Sequence, residues 1–372
     1  METVTWDGSN QTIVTMTPFR TILDRLQLLP TGGPGTCVFA ITNACNARCD
    51  FCGYAHSRIP APARVWADLD RSQNAIEVLF KRGIRSLTFT GGEPTTHRGL
   101  TDMISHAVGL GMATTLISNG FLLSRAVVEQ IHSAGLGLLL LSVDAAQSTQ
   151  HDANRGLTAS FARVAAACRH ARELGLATGA AVTINRLITD YAALARALAE
   201  AGFTTVRFCY PKRAAYSSSC AFSTNSALID YSASELVGQF ESIERLRSRI
   251  TVLNPPGALN DMIRHLNGEP EHYPCLGGCK SFYLDFNFDL YRCDYWPEPI
   301  GQVEQFSRLP LVRDNCTRCM SDEFRDAAVD QYLAMTVADI LHHLAGLHLE
   351  LAWRAASARP IAQAVRRWWT NR

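Results

Sequence analysis

One rhythm restricts the fold of this chain more than any other feature. Between residues 37 and 210 a β-rich apolar run is followed by a loop, an amphipathic helix and a glycine, and the cycle repeats. The runs 37–42, 85–90, 112–117, 137–143, 178–184 and 204–210 read as short buried strands. The segments between them have helical spacing. Ile76, Leu79 and Phe80 form one apolar face, Leu100, Met103, Ile104 and Ala107 a second, and Val127, Val128 and Ile131 a third. Asp70 with Gln73 reads as a capping box and Ser124 as an N-cap. Gly83, Gly111, Gly135, Gly175 and Gly202 stand where helices should stop. Six β–α units imply α/β architecture, a parallel sheet with right-handed crossovers. A closed barrel, a partial barrel and an open doubly wound sheet all fit. Each places the functional site in the loops after the strand C-terminal ends.

The rhythm fails after about Pro211. A Ser-rich stretch at 217–219 and a helix at about 234–249 follow. Asn254-Pro255-Pro256-Gly257 reads as a turn and a boundary. Helical periodicity returns at about 324–353. The tail at 361–369, with Arg366, Arg367, Trp368 and Trp369, reads as a capping helix over the core.

Charge and hydropathy exclude several classes. The 35 basic residues nearly match the 34 acidic ones, so no nucleic-acid footprint is visible. Only Lys81, Lys212 and Lys280 are lysines, a bias read first as genome composition. The most apolar run, 137–143, is far shorter than the roughly 18 residues of a membrane span. The first residues show no basic region followed by an apolar one, so no secretory signal is visible and a cytoplasmic location is expected.

Twelve cysteines are the informative excess. In a reducing compartment clustered thiols bind metal or do chemistry more often than they form disulfides. The loop after the first strand reads Cys45-Asn46-Ala47-Arg48-Cys49-Asp50-Phe51-Cys52. Three thiolates at this spacing can wrap one cluster, whereas a zinc site would want a fourth ligand that is not adjacent. Three protein ligands on a four-iron cluster leave one iron open to a chelating molecule. After the second strand comes Thr90-Gly91-Gly92-Glu93-Pro94. There two glycines allow close backbone approach to a ligand, and Glu93 can accept from an ammonium.

At these residues the chain resembles the radical S-adenosylmethionine (radical SAM) superfamily, whose signature is C-x3-C-x-aromatic-C with Phe51 in the aromatic place. The resemblance covers about 37–210 and implies a partial (β/α)6 TIM-like barrel, open on one side. It implies that Cys45, Cys49 and Cys52 hold a catalytic 4Fe–4S cluster whose open iron chelates S-adenosylmethionine. Reductive cleavage then yields a 5′-deoxyadenosyl radical that removes a hydrogen atom from substrate. By the same resemblance Gly91, Gly92, Glu93 and Pro94 hold the methionine amino group, Ser142 the methionine or ribose portion, and Arg155 the carboxylate. An arginine fork suits a carboxylate. Asn119 and Asp144 are further cofactor-binding candidates, and 182–185 is expected to edge the adenine.

A second group, Cys275, Cys279, Cys293, Cys316 and Cys319, follows the barrel. On composition it suits either a second iron–sulfur cluster or a structural zinc. It resembles the SPASM/twitch extensions of radical SAM enzymes, with their C-x(9–15)-G-x4-C hairpin and later cysteine pair. Cys275, Cys293, Cys316 and Cys319 would then carry one auxiliary 4Fe–4S cluster. Phe288 stands where the family has glycine. The gap from Cys279 to Cys293 is too short for the pattern, so Cys279 is either a replacement for Cys275 or a free thiol. Cys37, Cys168 and Cys209 read as core residues. Lys212 and Arg213, after the sixth strand, read as a candidate substrate contact.

The expected organisation is an extension over 1–36, the barrel and a linker helix over 37–254, a twitch-like domain over 255–323 and C-terminal helices over 324–372. The expected function is a radical SAM oxidoreductase-like enzyme with an electron donor such as flavodoxin or ferredoxin. A small natural-product or carbohydrate-like substrate is preferred over a ribosomal peptide, because only 36 residues precede the first strand and leave no peptide-recognition domain. The same shortness disfavours a cobalamin domain. The alternative outside enzymology is a non-catalytic iron–sulfur or zinc protein.

Overall fold

A computed structural model describes residues 27–211, 218–219 and 225–345. Lys212, Arg213, Cys220 and the Arg/Trp tail lie outside them. The six apolar runs are strands β1 (Gly35–Ala40), β2 (Ile84–Thr90), β3 (Ala113–Ser118), β4 (Leu138–Ser142), β5 (Ala177–Thr183) and β6 (Thr205–Cys209). The helices between them are α1 (Leu69–Lys81), α2 (Leu100–Gly109), α3 (Arg125–Ser133), α4 (Ser148–Arg155), α5 (Ser160–Glu173) and α6 (Tyr191–Ala201). Neighbouring strands pair in parallel from β1 to β6.

Their burial alternates. Phe39, Phe89, Leu116, Leu141, Val182 and Phe208 are fully buried under the helices. The residues beside them, Val38, Thr90, Ile117, Ser142, Thr183 and Cys209, face an inner cavity. Period-2 alternation thus gives each strand an aromatic or aliphatic outer face and an inner one of hydroxyl, thiol or β-branched aliphatic side chains. Burying each of those outer side chains contributes about 1.5–3 kcal/mol.

Helix ends follow local chemistry. Ser124 caps α3 by accepting from Val127 N, as expected. The cap of α1 is Asp68, which accepts from Arg71 N at 2.9 Å. The expected Asp70–Gln73 box is therefore displaced, because Asp70 already lies inside the first turn. The five stop glycines all have positive φ.

The rhythm does not stop at Pro211. Helix α7 (Ala233–Leu246) returns the chain to β7 (Thr251–Val252), which pairs in parallel with β6. Two residues are too few for an apolar run to be visible. Asn254 then extends the pairing with its side chain. It accepts from Phe208 N at 2.6 Å and donates to Phe208 O at 2.9 Å. The expected turn at 254–257 is the start of α8 (Pro256–Leu266), with proline at the first helical position.

Beyond α8, β8 (Ser281–Leu284) adds in parallel to the free edge of β1. Strands β9 (Asp289–Tyr291) and β10 (Gly301–Gln302) continue antiparallel. The ten-stranded sheet runs β10-β9-β8-β1-β2-β3-β4-β5-β6-β7 and is not closed. Helix α9 (Asp322–Ala345) spans the opening. Gln331 donates to Pro34 O just before β1, while Asp326 meets Tyr210 and Asn254 beyond β6 and β7. No helix among the described residues is long and apolar enough to cross a membrane.

Candidate functional site

The cavity inside the sheet, about 190 Å³, lies at the C-terminal ends of the strands. Cys45, Cys49, Phe51 and Cys52 line it from the loop after β1. That loop is fixed by its backbone. Arg48 N donates to Arg155 O at 2.7 Å and His56 N to Ala47 O at 2.7 Å. Thr42 and Asn43 tie its entry to 63–65.

The Gly-Gly-Glu turn after β2 lies against the same loop. Gly92 N donates to Thr42 O and Glu93 N to Ala44 O, both at 2.8 Å. A Cβ on Gly91 would fall 2.2 Å from Thr42 O, and one on Gly92 2.2 Å from Ala44 O. The glycines were expected to admit a ligand. The approach they permit here is to the cysteine loop itself, and Gly91 and Gly92 also line the cavity.

Glu93 is buried, and its carboxylate bridges two loops. It accepts from Ser118 Oγ at 2.8 Å, Asn119 N at 2.7 Å and Thr95 N at 3.1 Å. Asn119 in turn donates to Asn46 Oδ1 at 2.7 Å, joining the β3 loop to the cysteine loop. Glu93, Asn119, Ser142 and Arg155 all line the cavity. Pro94 and Asp144 do not. Pro94 opens the turn behind Glu93, and Asp144 is fully buried, bonded to Arg155 Nη2 at 2.6 Å. Of 182–185, Thr183 alone lines the cavity, and Asn185 is buried behind it.

Burial pushes the Cys45 and Cys49 thiols up to about 12. Nearby Glu93 adds to the shift at Cys45, and Arg155 opposes it at Cys49. Without a metal these thiols stay protonated, so binding one must release protons. The residues present fit a cluster and a chelated amino acid. Three thiols share one wall, and Arg155, 8% exposed, has an Nε with no hydrogen-bond partner. Among the described residues no three His, Cys, Asp or Glu side chains converge as a single metal ion requires. A four-iron cluster spreads its ligands wider than one ion does.

The second cysteine group flanks the β8–β9 hairpin. Cys275 precedes β8 and Cys293 follows β9, and both are buried. Burial pushes Cys275 up to about 12 and Cys293 higher still. Cys275 feels Cys316 and Cys319, and Cys293 feels Cys319 and Cys275. Cys279 feels instead Lys280, Arg313 and Asp339, and it packs with Leu276, Ala328 and Met335. The geometry therefore groups Cys275 with Cys293, Cys316 and Cys319, and sets Cys279 apart.

Phe288 has φ +67°, the left-handed conformation that suits glycine. Its ring lies 6.1 Å from that of Phe39, and the Arg71 guanidinium sits 4.2 Å above it. The side chain thus has packing to offset its backbone strain.

Sequence reasoning missed several cavity residues. Tyr54 stands two places after Cys52 and meets Tyr283 OH at 3.2 Å. Tyr283, Asp294, Asp322 and Glu323 line the cavity from the C-terminal region. Asp294 adjoins Cys293, which is a faint signal. Asp322 and Glu323 open α9 and had none. Cys209, expected in the core, faces the cavity. Tyr54, Tyr283, Tyr291 and Phe324 belong to one buried cluster that includes Cys275 and Cys293 and against which Cys45, Cys52 and Cys316 pack.

Comparison with known proteins agrees with this layout. Residues 39–190 match the Radical SAM superfamily. An AdoMet-dependent heme synthase of Methanosarcina barkeri is 30% identical over 137 residues, 37% of this chain and 38% of that protein. PqqA peptide cyclase of Rhodopseudomonas palustris is 28% identical over 171 residues, 45% of each. The sporulation killing factor maturation protein SkfB of Bacillus subtilis is 30% identical over 42% of this chain and 37% of its own. The chain spans less than half the length of these curated relatives. Among solved structures, native anSMEcpe with bound AdoMet superposes with a TM-score of 0.56 at 14% identity, covering 90% of this chain and 100% of that one. Streptococcus suis SuiB gives 0.56 at 15%, covering 77% and 68%. These two likenesses concern the fold alone. Motif, fold and family match fall on the same stretch, and residues 39–190 form a radical SAM domain.

Proposed function

We propose that the chain is a two-cluster radical SAM enzyme. Cys45, Cys49 and Cys52 hold the catalytic 4Fe–4S cluster, and Cys275, Cys293, Cys316 and Cys319 hold a second. When bound, the first cluster and S-adenosylmethionine supply a 5′-deoxyadenosyl radical able to remove hydrogen from a substrate carbon. The observation that carries this reading is the shared cavity. Three thiols, the Glu93 carboxylate, the Ser142 hydroxyl and an Arg155 edge with an unpartnered Nε converge on one space.

In this reading Glu93 offers a negative charge to the methionine ammonium while Ser118 and Asn119 keep the carboxylate in place. Arg155 takes the methionine carboxylate. Ser142 and Thr183, at the ends of β4 and β5, border the nucleoside. The barrel wall and α9 exclude water, which a carbon radical requires.

The substrate belongs to the same proposal. A peptide is favoured over the small molecule expected from sequence, because PqqA peptide cyclase is named for a peptide and SkfB for maturation. The heme synthases keep a small-molecule substrate as the second reading. The organisation 1–36, 37–254, 255–323 and 324–372 is kept as a proposed division with its first and last boundaries moved to the start of β1 at Gly35 and of α9 at Asp322, although β8 shares the barrel sheet.

The test is anaerobic reconstitution with iron, sulfide and zinc counted, beside reductant-driven 5′-deoxyadenosine formation. About eight irons and cleavage of S-adenosylmethionine are expected. Four irons with one zinc would remove the second cluster and leave the enzyme. No cleavage by a fully loaded protein would overturn the catalytic reading.

A further inference from the structure

The geometry points to Asp144 as the positioning residue for Arg155, rather than a contact of the bound cofactor. This inference rests on the placement of the methionine carboxylate at Arg155. Each of the four polar atoms of Asp144 has a partner within the protein. Its backbone N donates to His151 Nδ1 at 3.2 Å, and its backbone O accepts from Asn185 Nδ2 at 2.9 Å. Oδ1 accepts from Arg155 Nη2 at 2.6 Å, and Oδ2 from Asn154 Nδ2 at 2.7 Å. The residue is 0% exposed and does not line the cavity.

His151 is itself fixed. It is fully buried, its Nε2 lies 3.3 Å from Ser160 Oγ, and its ring meets Phe161 edge-on at 5.6 Å. Burial lowers it to about 4, so it is neutral and can accept at Nδ1 at ordinary pH. Asn154 also accepts from Asp50 N in the cysteine loop, at 3.4 Å. Asp144, just after β4, is thereby clamped from α4 and the loop after β5.

The consequence falls on Arg155. One guanidinium edge is committed to Asp144, and Nε is left without a partner beside the cavity. Asp144 fixes the guanidinium through Nη2, so that its Nε side is held toward a carboxylate in the cavity.

Removing the Asp144 charge would mix two effects, because it also leaves Arg155 uncompensated. The test therefore keeps the charge and moves it. Asp144→Glu displaces the anchor, and Asn154→Ala frees Oδ2 while keeping the ion pair. Binding of S-adenosylmethionine and of its decarboxylated analogue is measured by equilibrium dialysis on reconstituted protein, with iron content and Tm recorded. Both variants are expected to lose about tenfold or more of the preference for the carboxylate-bearing ligand, with decarboxylated binding and iron content unchanged. If Asp144→Glu fails to fold, Asn154→Ala decides alone. Equal weakening of both ligands, or an unchanged preference, overturns the inference. Arg155→Ala is the reference. If it too leaves the preference unchanged, the carboxylate is not at Arg155, and the site assignment fails before the positioning role does.

Discussion

The two cysteine groups are built by opposite routes. Cys45, Cys49 and Cys52 lie within eight residues of one loop, whose backbone bonds to the Gly-Gly-Glu turn and to Arg155. Cys275, Cys293, Cys316 and Cys319 come from three separate stretches, brought together when a hairpin adds to the edge of β1. The first group is a local feature of the chain. The second exists only after the sheet has formed. On the proposed reading, the loop should keep its cluster in a barrel with a damaged hairpin, whereas the hairpin group should depend on the barrel edge.

The largest expected effect breaks that comparison directly. In the Cys45→Ala/Cys49→Ala/Cys52→Ala variant, cleavage of S-adenosylmethionine should fall to background while about four irons remain. Cys275→Ala/Cys293→Ala should do the reverse, keeping the first cluster and reductant-driven cleavage. Iron content and 5′-deoxyadenosine measured on both variants check this. Loss of all iron in both would show that the groups are not independent.

Next comes the glycine turn. Gly92→Ala places a Cβ against the Ala44 carbonyl, and backbone on both sides must shift. A cost of about 3 kcal/mol or more is expected, together with loss of the first cluster. Denaturation curves and iron content report the two parts. A variant of native stability and full iron content would mean that the loop and the turn are not in contact.

The helix that spans the sheet opening gives a pH dependence. Asp326 on α9 is buried, and burial pushes its carboxyl up to about 8 even though Arg207 Nη2 lies 3.8 Å away. Asp322 and Asp330 add to the rise. An unfolded Asp titrates near 3.9. The folded state therefore binds the proton more tightly. Its contribution is complete below about pH 4 and is lost as pH rises to about 8. The slope should approach about 1.4 kcal/mol per pH unit. Urea unfolding across that window should show the decline, and Asp326→Asn should flatten it. A wild-type curve rising with pH across the window would remove this account of Asp326.

Phe288 sharpens the comparison inside the hairpin. Phe288→Gly relieves a left-handed residue, worth about 1–2 kcal/mol, but deletes a buried ring, costing about 3–5 kcal/mol. A net loss of about 2 kcal/mol is expected, with the second cluster retained. A net gain in Tm would mean that the ring contacts with Phe39 and Arg71 contribute little.

These cases also mark what the sequence could reveal. The six strands were legible because their outer faces carry Phe39, Phe89, Leu116, Leu141, Val182 and Phe208, and apolar burial leaves a periodic trace. The cysteine loop was legible because its ligands are adjacent. Strand β7 was not, since Asn254 does the work of a strand residue with its side chain. Asp68 was passed over for Asp70 because either acid suits a first turn. Asp322 and Glu323 reach the cavity only because α9 crosses the opening, and no local pattern encodes that crossing. Phe288 broke the glycine rule because its packing partners, Phe39 and Arg71, are more than 200 residues away.

The smallest expected effect concerns the cysteine that sequence could not assign. The sequence left Cys279 as a substitute for Cys275 or a free thiol, although its gap to Cys293 is too short for the family hairpin. In the fold Cys275 accepts from Gly277 N at 3.4 Å and feels Cys316 and Cys319. Cys279 sits one turn further on, among Leu276, Ala328 and Met335, on the side facing α9. Cys279→Ala should therefore leave iron, sulfide and 5′-deoxyadenosine formation unchanged. It deletes one partly buried sulfur, at a stability cost of about 1 kcal/mol. Cys275→Ala should lose the second cluster. Iron analysis of the two single variants separates the positions. Loss of iron in Cys279→Ala with retention in Cys275→Ala would require the chain at 275–280 to turn the opposite way, and with it the parallel pairing of β8 on β1.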